Sequence, residues 1–561
     1  MKETSPVILL EHPRPKDPDR LQDVVNAPLS ANLLSPYIAA VLNSQDIPSE
    51  ILDANLMGWS REKTLEELEK RPPKLLGVHM VYLWNKTTEV FDMLSRLRRF
   101  CPQTHINLFG FYPTFSYENI LQWFPFIDSV TVGEPEYTFL ELAGFLLCTS
   151  AKRPYLSLGE KNNSRSKGAS QPKNVAYELA RTYPRQQAAT LHNSLDYSGI
   201  DGLAFGINAP DGRKVIKNSP RPPISDLDSL PFPDRSHMHR YERLGIATYI
   251  LGSRGCYGHC SFCYVNPFYV NDDNSSWRGR SAENIFEEIR LLHVSRGTRY
   301  FYFADANFFG PGREGKKRVS RLANLLIENE LDIRFGIECR ANDVEEDNLS
   351  RLVQAGLREV FLGIESGCQH VLNRYKKGVS TGVNERAVET LRRFGIEPSL
   401  GFIMFEPDSR LSDIRENFEF LKKLRLLHTP AVTAHILHHR QTFFQGTPDF
   451  RLACNKPDTK LDPVTGYEAF CEFNDPKVTA FSKAAISLCR GVLDMLQPDE
   501  ADACTTTVAN GRLTKINWAV IDAYDRILTA FEDGEAIRNP SKVKGMHDEF
   551  LSDIRSVYKD L

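Results

Sequence analysis

Three cysteines packed into the run SRGCYGHCSFCY, at Cys256, Cys260 and Cys263, carry the clearest chemistry in this chain. Their spacing is C-x3-C-x2-C. Three thiolates in one short loop can each hold one iron of a [4Fe–4S] cluster, leaving the fourth iron open to the amine and carboxylate of a substrate. Gly255 and Gly258 are expected to supply the positive-φ turns that aim three sulfurs inward. The competing reading is a zinc site completed by His259 or a distant residue. Zinc motifs come as two separated ligand pairs, and the sequence shows no second pair. The cluster reading is therefore preferred.

The composition frames that chemistry. Hydrophobic residues make up 41% and charged residues 25% of 561, enough apolar surface for about three domains. A net charge of −3 lacks the basic excess of a general polyanion binder, so no nucleic-acid partner is expected. The opening MKETSPVILLEHPRPKD is broken by charge and proline, which fits neither a signal peptide nor a membrane span. A cytoplasmic protein without a membrane partner is expected. In that reducing compartment, clustered cysteines point to metal rather than disulfides.

The elements that must position the cysteines follow from the hydrophobic pattern. Residues 1–147 alternate short apolar strands (PVILL, SEILD, LLGVHM, INLF, SVTV) with helical stretches, predicting a Rossmann-like parallel sheet. Residues 148–235 read as a linker, with the polar run 160–174 as loop and a short hairpin in GIDGLAFGINAPDG. Within residues 236–450, six strands alternate with amphipathic stretches: 248–253, 299–305, 333–338, 359–365, 399–405 and 432–437. This predicts a partial (β/α)6 barrel with its active site at the strand C-termini, where the cysteine loop follows strand one. Residues 451–561 read as an all-α domain. The fold class is α/β.

The cysteine spacing, with aromatic Phe262 before the last cysteine, resembles the radical SAM superfamily over roughly residues 245–450. The resemblance implies that S-adenosylmethionine (SAM) chelates the open iron and, after one-electron reduction, is cleaved to a 5′-deoxyadenosyl radical. It also implies an external electron donor of flavodoxin or ferredoxin type. It further implies that Arg340 or Glu338 contacts the methionyl end, Glu365 and Ser366 the ribose, and Phe262, Tyr264 and Ile403 the adenine. Asp305 is a further polar candidate after strand two. Many relatives carry Gly-x-Pro-Gly-Glu-Thr after strand five. Here the text is MFEPDS (404–409), which introduces Glu406 as a second candidate catalytic carboxylate.

The first domain resembles the cobalamin-binding domain that precedes many radical SAM cores, through PLSANLLSPYIAAVL (28–42), ILDANLMGWS (51–60), LLGVHM (75–80), GFYPTF (110–115) and TVGEPEYTFLEL (131–142). The resemblance implies a corrinoid held by Gly110, Tyr112, Pro113, Thr114, Gly133 and Glu134. The Asp-x-His-x-x-Gly motif that elsewhere supplies a lower cobalt ligand is absent, which argues against histidine ligation. His79 either approaches the cobalt face or serves as a hydrogen-bonded loop histidine.

Together these resemblances imply a cobalamin-dependent radical SAM methyltransferase. It would move a methyl group from SAM via methylcobalamin to an unactivated centre of a small-molecule or peptide substrate, as in natural-product biosynthesis. The alternative is a non-methylating enzyme of the same architecture performing cyclisation, ring contraction or oxidation. Methylthio transfer is disfavoured, because it needs three further N-terminal cysteines and only Cys101 and Cys148 precede residue 150. A metal-binding regulatory protein would not need polar residues at successive strand ends. His438, His439 and Arg440 are expected to face the acceptor, and Phe443, Phe444, Trp518 and Tyr524 either cap the barrel or, as such aromatics more often do, belong to the core.

Overall fold

The computed structural model describes residues 6–14, 31–147, 196–209, 212–269, 277–496 and 511–559. The polar run 160–174 lies outside them. The N-terminal sheet contains β1 (Val7–Glu11), β2 (Ser49–Asp53), β3 (Leu75–His79), β4 (His105–Phe109), β5 (Ser129–Thr131), β6 (Leu203–Ala209) and β7 (Gly212–Lys217). Its order is β2-β1-β3-β4-β5-β6-β7. β1 to β5 pair in parallel, as buried strands rich in Val, Ile and Leu do when helices cover both faces. The expected hairpin exists as β6–β7, but it is no linker feature. β6 pairs antiparallel with β5 and extends the N-terminal sheet.

The second sheet is built from β8 (Thr248–Ile250), joined by a short antiparallel pair, β9 (Ser253–Arg254) with β10 (Arg278–Gly279). It continues through β11 (Tyr300–Phe303), β12 (Arg334–Arg340), β13 (Leu357–Glu365) and β14 (Ser399–Phe402), in the order β14-β13-β12-β11-β8, all parallel. Covering helices begin at side-chain caps that the sequence encodes. Ser281 Oγ accepts from Asn284 N at 3.1 Å, and Ser380 Oγ from Val383 N at 3.3 Å.

Residues 432–437, expected as the sixth strand, are helical within Pro430–His438. Thr429 accepts from Val432 N and Pro430 stands at the first helical position, so the capping signal overrides the β-branched pattern. Only an isolated parallel bridge, Phe405 to Arg440, marks the place where a sixth strand would pair. The C-terminal segment also departs from an all-α reading. A small antiparallel sheet of β15 (Phe443–Phe444), β16 (Lys460–Leu461) and β17 (Glu468–Phe470) precedes helices Pro476–Leu493, Gly511–Glu532 and Pro540–Lys559. Tyr524 is buried in that helical core, and Trp518 is exposed.

Candidate functional site

The carboxyl ends of both parallel sheets open onto one cavity of about 650 Å³. From the N-terminal sheet come His79 at the end of β3 and Tyr112 after β4. From the barrel come Cys256, Cys260 and Cys263, Glu338 and Arg340 on β12, Glu365 on β13, and Ile403 after β14. Strand C-termini are where parallel sheets expose loops and unpaired backbone to ligands, and here two such ends face each other.

Within the cysteine loop, Gly255 has φ +81 as expected. Gly258 does not have a positive φ. It is needed for space instead, because a Cβ there would stand 2.3 Å from Arg340 Nη1. Gly258 N donates to Cys256 Sγ at 3.3 Å, and Arg340 Nη1 donates to Cys260 Sγ at 3.3 Å. The second guanidinium nitrogen of Arg340 donates to the Lys377 carbonyl. The loop is anchored from outside by Asn266, which accepts from Cys256 N at 3.1 Å and donates to the Gly258 carbonyl. Ser261 N also donates to the Tyr375 carbonyl at 3.0 Å.

Glu338 carries no ion pair among the described residues. Burial, reinforced by the charge of Asp305, pushes its carboxyl up to about 8. Glu365 sits at φ +67 where the β13 register shifts, an unusual backbone state for a residue with a side chain. Its carboxylate accepts from Lys377 Nζ at 2.9 Å. Lys377 is buried, and burial would lower its ammonium, yet Glu365 and the Cys260 thiol raise it overall. Phe262 packs edge-on against Tyr375 at 5.2 Å, and together with Tyr264 and Ile403 it forms an apolar wall. The lining also includes His435, His438, His439 and Arg440, with Arg490 from helix Pro476–Leu493.

Several expected site residues lie elsewhere. Ser366 is fully buried and donates from Oγ to Asn417 Oδ1 at 2.7 Å, fixing the turn behind the cavity. Asp305 accepts from Gly252 N at 2.9 Å and from Ser253 Oγ, tying β11 to the start of the cysteine loop. Burial pushes its carboxyl up to about 6. Glu406 is held by Arg374 and accepts from Asp408 N at 3.1 Å. Thr114 Oγ1 accepts from Gly133 N at 3.0 Å, within the N-terminal domain. Pro113 is buried in helix Phe111–Trp123. Glu134 is paired with Arg254 at 3.1 Å and with Arg278. None of these seven residues lines the cavity. Gly110, at φ +115, lies beside it and leaves room for the His79 ring.

Lys377, Tyr82, His435, His438, His439 and Arg440 also line the cavity. Only His438, His439 and Arg440 had a signal in the sequence, following the apolar run 432–437. Lys377 follows a helix and is brought in only by the fold.

Comparison with known proteins agrees with this geometry. Residues 250–421 match the model of the radical SAM superfamily. An uncharacterized methyltransferase of Pyrococcus horikoshii is 26% identical over 396 residues, covering 69% of this chain and 72% of that one. The anaerobic magnesium-protoporphyrin IX monomethyl ester cyclase of Synechocystis is 24% identical over 467 residues, with 81% and 80% covered. Among solved structures, the cobalamin-dependent S-adenosylmethionine radical enzyme OxsB with aqua-cobalamin bound superposes with a TM-score of 0.71 at 18% identity. It covers the whole of this chain and 81% of its own. The radical SAM methyltransferase TsrM of Kitasatospora setae, with cobalamin and a [4Fe–4S] cluster bound, superposes at 0.60 with 15% identity, covering 94% and 100%. These likenesses show a shared fold. With the family match centred on the strands that carry the cysteine loop, residues 250–421 of this chain form a radical SAM domain.

Proposed function

We propose that the chain is a cobalamin-dependent methyltransferase that moves a methyl group from SAM to an unactivated centre of a small-molecule or peptide acceptor. The observation that carries this reading is the single cavity joining the cysteine loop to the strand ends of the N-terminal sheet. An enzyme using SAM alone needs only the barrel end.

The residues fit both groups. A single tetrahedral zinc, with Zn–S of about 2.3 Å, would draw its sulfurs to about 3.8 Å apart. Among the described residues, three ligand-type side chains with donor atoms all within 4.8 Å of one another occur at Cys368, His370 and Asp413, not in the cysteine loop. The wider stance suits the corners of an iron–sulfur cube. On the corrinoid side, Gly110 leaves a space that a Cβ would fill, and the buried Tyr112 hydroxyl finds no hydrogen-bond partner among the described residues. When bound, the cluster would supply the electron that cleaves SAM, and the corrinoid would carry the methyl group.

The chain's own residues set the stage. Cys256, Cys260 and Cys263 hold the cluster. Arg340, which donates to the Cys260 sulfur, would offset the negative charge of the thiolates holding the cluster. Glu338 and the Lys377-oriented Glu365 offer oxygens to the polar atoms of SAM, while Phe262, Tyr264 and Ile403 pack its adenine. The histidine and arginine wall faces the acceptor. Aromatic contacts between the two domains, such as Phe111 with Phe268 at 4.1 Å, exclude water from the space between them.

A second reading, cyclisation or oxidation without methyl transfer, draws support from the extent of the cyclase match. The test is anaerobic incubation of reconstituted protein with methyl-labelled SAM, a reductant and fractionated small molecules. A product heavier by one labelled methyl supports transfer. An unlabelled product lighter by hydrogen supports the second reading and rejects the first.

A further inference from the structure

We infer that His79 is an axial ligand to the corrinoid cobalt, supplied by the protein and positioned by Glu11 and Ser35. This inference rests on the corrinoid reading above.

A histidine that ligates a metal must offer one ring nitrogen as a lone pair, and its other N–H is characteristically held by a carboxylate that fixes tautomer and ring plane. His79 is arranged this way. Its Nδ1 lies 3.0 Å from both carboxylate oxygens of Glu11, at the end of the neighbouring strand β1. The Glu11 carboxylate also accepts from Ser35 Oγ at 2.7 Å and pairs with Arg14. Glu11 and His79 are each only 2% exposed. The imidazole stacks on Phe109 at 5.5 Å and 11° between planes, which leaves the ring little freedom to tilt.

When the neutral ring donates Nδ1–H to Glu11, its lone pair is at Nε2. It finds no hydrogen bond among the described residues, and His79 borders the shared cavity. The space beside it is kept open by Gly110, where a Cβ would stand 3.0 Å from His79 Cδ2 and 3.3 Å from Nε2. His12 provides the contrast within the same cluster. Its Nδ1 bonds the Pro13 carbonyl at 3.0 Å and its Nε2 accepts from Val81 N at 3.4 Å, so both nitrogens are consumed by backbone. One buried histidine is fully satisfied, and the other is held by one nitrogen with the second left for a ligand. No contiguous Asp-x-His-x-x-Gly motif is required, because β1 and β3 are neighbours and bring Glu11 to His79 across 68 residues of chain.

The experiment uses the full chain loaded anaerobically with cob(II)alamin, freed of excess corrinoid and examined by electron paramagnetic resonance. Protein of natural isotopic composition is compared with protein grown on nitrogen-15 histidine. The expected result is a cobalt signal split into three lines by one nitrogen, converting to two lines on labelling, and losing that splitting in His79→Ala. Three lines that ignore the label identify the nucleotide's own base as the ligand and overturn the inference. So does a bound corrinoid without nitrogen splitting. Protein that retains no corrinoid, judged by its visible spectrum, rejects the corrinoid reading itself, and the ligation falls with it. The isotope comparison needs no variant, so instability of His79→Ala does not obscure the answer. Glu11→Gln, a positioning change, is expected to keep the corrinoid bound and reduce the nitrogen splitting.

Discussion

Arg254, two residues before the first cysteine of the loop, sets its guanidinium 2.5 Å from the Glu136 carboxylate of the N-terminal domain, with both side chains shut off from water. The same guanidinium reaches Glu134 at 3.1 Å. The cysteine loop is therefore bolted to the domain that would hold the corrinoid, which fixes the distance between the two halves of the cavity.

Removing Glu136 leaves Arg254 with Glu134 as a buried partner, so the loss is that of one charged hydrogen-bonded contact. Glu136→Ala is expected to lower unfolding stability by about 1.5–3 kcal/mol, measured by the shift of the urea midpoint. Acid should act on the same clamp. Burial alone would raise the Glu134 carboxyl, but Arg254 and Arg278 bring it below its ordinary value. A depressed carboxylate stabilises the fold fully above the ordinary glutamate range, and that stabilisation is lost as pH falls through the lower, folded-state value. Stability that is flat on acidification from neutral pH to well below that range would contradict the pairing.

Gly258→Ala tests the link between Arg340 and the cysteine loop. The added Cβ meets only the far end of a flexible side chain, so the protein should fold and assemble its cluster while Arg340 leaves Cys260. Loss of a positive charge from a cluster sulfur lowers the reduction potential. SAM affinity should weaken by about tenfold, or ~1.4 kcal/mol, read by equilibrium binding. Unchanged potential and affinity would separate Arg340 from the SAM site.

Glu338 should make stability depend on pH between the ordinary glutamate range and about 8. Its carboxyl is raised from the ordinary range to about 8, so the native state keeps a proton that the unfolded chain has lost. Stability should then fall as pH rises from the ordinary glutamate range to about 8 and level off beyond it. Glu338→Gln should remove the part of that fall between about 6 and about 8, leaving the part below about 6 to which Asp305 also contributes. The check is a series of urea titrations of cluster-free protein across that range, comparing the two proteins.

How much of this was legible beforehand follows from what each signal rests on. The parallel strands were readable because their residues are apolar without alternation, and the cysteine loop because its ligands are contiguous. The sixth strand was not, because Thr429 and Pro430 start a helix that the β-branched run 432–437 disguises. Glu134 reads as a ligand residue at a strand end, yet its arginine partners lie 120 and 144 residues away and only the fold reveals them. Gly258 looked like a turn residue and is a space for a guanidinium. Strand-end carboxylates resemble one another in sequence. Asp305 and Glu406 spend theirs on local structure, whereas Glu338 and Glu365 reach the cavity.

The most direct measurement is the composition and magnetic response of the anaerobically reconstituted metal centre. About four iron and four sulfide per chain are expected, with a reduced-state paramagnetic signal that changes when SAM is added. Replacing Cys256, Cys260 or Cys263 by alanine should lose the centre. A bound zinc ion, or a cluster whose signal is indifferent to SAM, would contradict the central claim that one iron corner is left open for that molecule.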